Sequence, residues 1–356
     1  MTGAEVAIVA FAQAPQERHS SGTTNGVEQL VPVFEQLYAE TGLTNRDIGF
    51  WCSGSSDYLS GRAFSFISAL DAVGTFPPVA ESHVEADAAW ALYEAWLKIR
   101  MGEADTALVY GFGKSSAGNL RRTLALQLDP YTVGPLWPDT LSIAGLQARL
   151  GIDAGLWSER EMAEVAVRCR RAAETNPKAQ LRGSKDADEL LVQPYLADPL
   201  RRHDCAPVTD GAAAIVLAGA DRARELTGRP ALITGFAHRI ESAHLGSREL
   251  TSSPSTQAAA ASAGAASGTG IEVAELHAPF SHQELILRRA LALPDGVEVN
   301  PSGGALAGNP MFAGGLTRIG EAAARILDGS AGRTLGHATS GPALQQNLVC
   351  VMEAGR

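Results

Sequence analysis

At 356 residues the chain can bury a large core and is long enough for two domains or two halves of one. Apolar residues make up 45% and charged residues 19%, with 37 glycines, the profile of a folded α/β protein and not of a disordered or fibrous one. A formal net charge of −10 argues against a nucleic-acid binder, and no run of about 18 apolar residues marks a membrane span. The opening Met1–Glu5 stretch lacks a basic region followed by an apolar run, so a cytoplasmic location is expected. Cys52, Cys169, Cys205 and Cys350 form no CxxC pair, and no His stands at metal-ligand spacing from them. They read as reduced packing thiols, with no metal and no disulfide.

The apolar run Val6–Phe11 predicts a buried strand. Asn25 then caps a helix from Gly26 to about Thr41, with Val27, Leu30, Val31, Phe34 and Leu37 on one face. Asp47–Cys52 predicts a second strand, Arg62–Val73 a short helix, Val79–Val84 a third strand and Ala88–Met101 an apolar helix stopped by Gly102. Thr106–Gly111 is the fourth strand and Asp210–Ala218 the fifth. Between them, Ser115 to about Pro207 reads as an insertion, with proline turns, polar loops and a helix around Ser158–Glu174.

The second half repeats the scheme. Ala231–Gly235 is a strand, and an Ala/Ser-rich helix follows from about Ser255 to Ala266, preferred over a flexible linker because alanine favours helix. Ile271–His277 is a strand, His282–Ala292 a helix, and Asn300–Gly304 a glycine-rich turn leading to a helix over Ala313–Ile326. Thr334–Ala338 and Asn347–Glu353 close the chain as strands. Alternating strands and helices imply parallel strands with crossover helices. Two βαβαβ arrays, each ending in a hairpin-like pair, suggest an internal duplication of pattern without similarity of letters. The expected division is a first half over 1–114 and 206–228, an inserted loop domain over 115–205, and a second half over 229–356.

Four stretches now acquire a joint meaning: Asp210–Ala214, Glu275–Phe280, Asn300–Gly304 with Gly308-Asn309-Pro310, and Leu344–Asn347. In this order and at these strand ends the chain resembles the thiolase superfamily over nearly its whole length. It is most similar to the lipid-transfer or sterol-carrier-type branch, and within it to the thiolase-like proteins of actinobacterial steroid side-chain breakdown. The resemblance implies an α/β thiolase fold: two similar halves in a five-layer α-β-α-β-α arrangement with a loop-domain insertion.

The resemblance also implies four site positions. The nucleophilic cysteine of a thiolase falls here on Ala86, which cannot form an acyl-enzyme. Neighbouring Asp87 is a poor acyl acceptor and reads as a helix N-terminal charge. His277, in His277-Ala278-Pro279-Phe280, holds a position that carries a Tyr in related aldolases; it is a candidate to bind a thioester oxygen or move a proton. The His of a Gly-His-Pro motif is replaced by Asn309, which can donate to an enolate oxygen but cannot relay a proton. The turn that carries a second Cys in thiolases, or a Tyr in the aldolase branch, is Gly336–Gly341; it offers Ser340 as a catalytic candidate and His337 and Thr339 as substrate-binding candidates. Gly304 is expected to lend backbone to substrate binding. His282 ranks lower, as a solvated helix cap.

Thiolysis is therefore not expected, and condensation by a ketosynthase fails for the same reason. Retro-aldol cleavage of a β-hydroxyacyl-CoA needs no acyl-enzyme, only a base and donors for the enolate. The expected activity is a carbon–carbon lyase acting on a steroid side-chain acyl-CoA, with the CoA thioester as substrate and no cofactor. The alternative is a non-catalytic acyl-CoA-binding subunit that supports an active paralogue. The resemblance implies a dimer through the third strand and third helix, homomeric or with a thiolase-like paralogue, and a zinc-ribbon/OB-fold partner. Arg170-Arg171 and Arg201–Asp204 are candidates to meet CoA phosphates, against a plain reading as exposed charge. Trp90, Leu92, Tyr93 and Trp96 are candidates to line a steroid pocket, against a plain reading as core.

Overall fold

The computed structural model describes residues 4–21, 26–60, 64–183 and 185–355. Ten strands form the main sheet order: β1 (Val6–Gln13), β2 (Phe50–Gly54), β3 (Glu81–Val84), β4 (Thr106–Gly113), β5 (Gly211–Gly219), β6 (Ala231–Ile240), β7 (Val273–Glu275), β8 (Glu298–Val299), β9 (Arg333–Ser340) and β10 (Gln346–Ala354). The helices that position the site are α1 (Gly26–Thr41), α2 (Ala88–Arg100), α3 (Thr140–Asp153), α4 (Glu159–Ala172), α5 (Pro254–Ser262), α6 (Ser281–Ala290) and α7 (Gly314–Leu327).

The duplication is explicit in the strand order. In the first half β3, β2, β4, β5 and β1 lie side by side; in the second, β8, β7, β9, β10 and β6 do. Numbered within each half, both read 3-2-4-5-1, with strands 2, 3 and 4 parallel and strand 5 antiparallel to its neighbours. Among the described residues the halves pair edge to edge only through Ala7↔Leu232 and Ile8↔Ala231. Continuous apolar runs form the central strands β1, β4 and β5 because both of their faces are covered, whereas β6 carries the exposed Thr234 and Arg239. In β1, Val6 and Ile8 face one core and Ala7 and Val9 another.

Those cores define five layers. α1 covers the outer face of the first half. α2 and α7 pack between the two halves, against β2, β4 and β5 on one side and β6, β9 and β10 on the other. α5 and α6 cover the outer face of the second half. This is the thiolase fold. The inserted stretch lies over the second half: Gln147 on α3 donates to the Leu250 carbonyl at 2.9 Å, and Arg168 on α4 is paired with Glu284 on α6. No helix among the described residues is long and apolar enough to cross a membrane.

Several local expectations change. On α1 the buried face uses Val33, while Val31 is exposed. Asn25 and Arg62 lie outside the described residues, and the short helix near Arg62 is a 3-10 turn over Ser65–Ala69 followed by Leu70–Val73. The strand expected over Ile271–His277 is shorter, ending at Glu275, so His277 stands in the loop beyond it. β9 runs on to Ser340, which places Thr339 and Ser340 in a strand rather than a turn; pairing with Asn347 and Gln346 extends the ladder. The alanine-rich helix ends at Ser262, before the glycines that would fray it.

Asp210, at the entry to β5, is buried and ties down two loops. Its carboxylate accepts from the backbone and hydroxyl of Ser20 at 3.0 and 2.7 Å and of Ser116 at 3.0 and 2.6 Å. Burial pushes its pKa up, but the hydrogen bonds from Ser116 and Ser20 outweigh this and hold it below the usual carboxylate value. A lowered folded-state pKa gives stability that is present above the unfolded value of about 3.9 and lost as pH falls through the folded one. Asp210→Asn should therefore melt at lower temperature at pH 7 and show a flatter stability profile below about pH 4 than the parent chain. Parallel acid slopes for the two proteins in thermal melts would contradict this role.

Candidate functional site

Two helix N-termini meet between the halves. Asp87 is the N-cap of α2, its side chain accepting from Ala89 N–H at 2.9 Å. The same carboxylate also accepts from Gly315 N–H at 2.8 Å and Leu316 N–H at 3.0 Å, in the first turn of α7. Asp87 is buried, as a carboxylate can be once its oxygens are satisfied. Ala86 sits just before it, half-buried, with its N–H on the Val84 carbonyl.

Beside this junction His277 and Asn309 touch: His277 Nε2 and Asn309 Oδ1 are 2.9 Å apart. The Thr339 N–H points at His277 Nδ1 at 3.4 Å. A backbone N–H aimed at Nδ1 requires a lone pair there, so the neutral ring carries its proton on Nε2 and donates to Asn309. Burial lowers the His277 pKa most strongly, partly opposed by the Asp87 charge and the Asn309 hydrogen bond. The ring is thus a neutral donor in the resting site. Asn309 is held from behind by its own N–H on Thr209 Oγ1 at 3.1 Å, and its Nδ2 makes no hydrogen bond among the described residues. One amide donor is left available for a ligand oxygen.

Gly314, the first residue of α7, makes the pairing possible. A Cβ there would lie 2.6 Å from Asn309 Oδ1 and 3.0 Å from His277 Nε2. Gly314→Ala should separate the two side chains while preserving a cooperative melt, read as displaced His277 imidazole resonances. Unmoved resonances would mean that the loop absorbs the methyl group.

The other positions fall into three groups. Thr339 joins the site through its backbone, while its hydroxyl donates to the Gln346 carbonyl at 3.0 Å. Ser340 is one residue further along β9, half-buried and paired with Gln346. His337 is fully buried behind the site; its Nε2 lies 3.1 Å from Asn347 Oδ1, its Nδ1 has no partner, and burial drives its pKa to about 3. Gly304 has contacts within its own turn: φ is +62°, its N–H reaches Ser302 Oγ at 3.3 Å, and a Cβ would meet Asn300.

His282 is no solvated cap. It is completely buried, 3.0 Å from Gln147 Oε1, with its pKa lowered by burial to about 3, because α3 covers the start of α6. Trp90, Leu92 and Trp96 are buried in the central layer and Tyr93 packs against it. Among the arginines, Arg201 is buried in an ion pair with Glu159 and stacked on Tyr195, His203 is buried with its pKa lowered to about 4, and Arg171 and Arg202 are exposed. Burial raises the pKa of all four thiols, Cys205 to about 12, so none is a poised thiolate.

Two features had no sequence signal strong enough to find them: the double capping by Asp87, and a buried cluster behind His277. In that cluster Glu275 accepts from Ser302 N–H at 2.9 Å, Ser302 Oγ at 2.8 Å and Arg318 Nη1 at 2.8 Å. A cavity of about 790 Å³, lined by Arg46, Asp47, Asp105 and Arg222, lies at the opposite, amino ends of the parallel strands. Open α/β sheets place their chemistry at the carboxyl ends, where His277 stands.

No protein-family model matches the chain. It is 31% identical over 198 residues to an acetyl-CoA acetyltransferase of Methanothermobacter thermautotrophicus, covering 49% of this chain and 51% of that one. It is 40% identical over 81 residues to a 17-hydroxy-3-oxo-4-pregnene-20-carboxyl-CoA lyase of Mycobacterium tuberculosis, covering 22% and 21%. To sterol carrier protein 2 of Gallus gallus it is 26% identical over 298 residues, covering 72% and 54%. The chain spans about half the length, or less, of these relatives. The solved structure of an Ltp2-ChsH2(DUF35) aldolase superposes with a TM-score of 0.82 at 20% identity, covering 100% of this chain and 99% of that one. Human mitochondrial 3-ketoacyl-CoA thiolase superposes with a TM-score of 0.80 at 16% identity over the whole of both chains. Fold and site define a thiolase-fold protein with Ala86 and Asp87, and no cysteine, at the entry to α2. In sequence the chain is similar to thiolase-type acetyl-CoA acetyltransferases, to sterol carrier protein 2 and to a 17-hydroxy-3-oxo-4-pregnene-20-carboxyl-CoA lyase.

Proposed function

We propose that this chain is the thiolase-like subunit of a carbon–carbon lyase that cleaves a β-hydroxyacyl-CoA of a steroid side chain by retro-aldol chemistry. The observation that carries the reading is the His277–Asn309 pair, which leaves the Asn309 amide as a free donor beside a helix start that has no nucleophile. In the reaction a base takes the β-hydroxyl proton, the Cα–Cβ bond breaks, and its electron pair moves into a thioester enolate. The enolate oxygen is where Asn309 Nδ2–H would donate. His277 fixes the amide's orientation. The pregnene-carboxyl-CoA lyase among the similar proteins supports this substrate class, and the structurally similar aldolase supports the reaction type.

A second reading is a subunit that binds acyl-CoA and supports an active paralogue. It is favoured by the state of the two histidines at the site: His277 Nδ1 already receives the Thr339 N–H, and His337 is buried against Asn347. Both readings propose an assembly, either a dimer through the outer edge of β3, which pairs only with β2 among the described strands, or a complex with a thiolase-like paralogue and a zinc-ribbon/OB-fold protein. The deciding test is turnover of a steroid β-hydroxyacyl-CoA by the purified chain, alone and with those proteins added. Activity alone that is lost in His277→Ala makes the chain the catalyst. Activity only in the mixture, surviving His277→Ala, makes it the supporting subunit. A monodisperse monomer in light scattering would contradict the dimer.

A further inference from the structure

The amides at a helix N-terminus are ready-made anion donors, and here two helices of 13 and 14 residues point theirs at one spot. The spot is filled from within. Asp87 receives Ala89, Gly315 and Leu316 N–H, one from α2 and two from α7. The filled junction is also continuous with the candidate site. Gly315 packs so tightly that a Cβ would meet Asp87 at 2.7 Å and the Ala338 methyl at 2.6 Å. Its neighbour Gly314 backs the His277–Asn309 contact, and Ala338 precedes the Thr339 whose N–H sets the His277 tautomer.

We infer that Asp87 is a positioning residue: a built-in anion that occupies the junction of α2 and α7, closes it to any substrate oxyanion, and holds Gly314 and Thr339 against the His277–Asn309 pair. The inference deepens the lyase reading, on which its meaning for catalysis rests. With the junction closed, a thioester oxyanion has the Asn309 amide, and not the helix amides, as its donor. The charged groups that act on His277 are Asp87 from the α2 entry and Arg318 from α7, with His337 on β9 as its titratable neighbour. Asp87 favours the protonated ring and Arg318 opposes it.

The test needs no turnover, so a failed lyase assay leaves it standing. Asp87→Ala empties the junction and exposes three buried donors without an acceptor. Its melting temperature should fall by several degrees and recover saturably with sodium formate, which restores a carboxylate, but not with formamide. The parent chain should show no saturable response to formate. Equal responses of Asp87→Ala to formate and formamide would overturn the proposal. Should that variant fail to fold, Asp87→Asn carries the test, since it keeps the shape and one acceptor oxygen. The His277 imidazole, followed by NMR, should then titrate lower than in the parent chain, because the Asp87 charge that favours the protonated ring is gone. An unchanged His277 titration in Asp87→Asn would reduce Asp87 to an ordinary helix cap.

Discussion

For the proposed lyase reaction, replacing Asn309 with alanine is expected to lower kcat by about 10²–10³-fold, the usual loss when one oxyanion donor is removed. The reason is geometric. Oδ1 is committed to His277 Nε2 at 2.9 Å, so the amide cannot rotate freely, and Nδ2 is left aimed away from the ring. If the donor acts on the enolate and not on the resting thioester, KM should stay within a few-fold while kcat falls. Asn309→Ala also strands the buried Nε2–H, which costs about 1–3 kcal/mol in stability. Asn309→Asp separates the two effects: it keeps an acceptor for His277 and abolishes the donor, so it should hold more stability yet lose comparable activity. Full turnover in Asn309→Asp would remove Asn309 from the mechanism.

The second large effect concerns stability. Glu275 and Arg318 are almost fully buried and 2.8 Å apart, and Ser302 satisfies both through its hydroxyl. Two charges taken out of water tolerate each other only as a pair. Deleting one leaves an uncompensated buried ion, at a cost of about 3–5 kcal/mol. Glu275→Ala should show that loss as a lowered urea midpoint, whereas Glu275→Leu combined with Arg318→Met should recover most of it. A single variant within about 1 kcal/mol of the parent would mean that the guanidinium finds water or another acceptor. The cluster matters to the site because Glu275 ends β7 two residues before His277, and Arg318 lies one turn into α7 after Gly314. The ion pair clasps the strand end to the helix start and so sets the distance between the ring and the glycine beneath it.

Much of the fold was legible in the letters. Buried strands such as Val6–Phe11 and Thr106–Gly111 show as apolar runs because both faces are covered, and α2 and α7 show as apolar helices because they lie between the two halves of the sheet. The order of elements was enough to suggest a duplication, since strand–helix alternation restricts topology. The short carboxyl-terminal ends of strands were less legible. β7 stops at Glu275 and β9 runs to Ser340 because partner strands, not local propensity, decide where a ladder ends.

The chemical inventory is a property of the sequence alone. Alanine at position 86, asparagine at 309 and histidine at 277 determine which atoms can donate, accept or attack, whatever the packing. What only the tertiary structure decided is the state of those groups. His282 at a helix start looks solvated until α3, more than a hundred residues earlier in the chain, is folded over it. Asp87 looks like a single helix cap until α7 arrives from the other half and offers two more amides. The tautomer of His277 is set by the Thr339 N–H, 62 residues away in the chain. Burial, pairing and proton position depend on neighbours that are distant in sequence, and those neighbours are brought together only when the two halves close on the central helices.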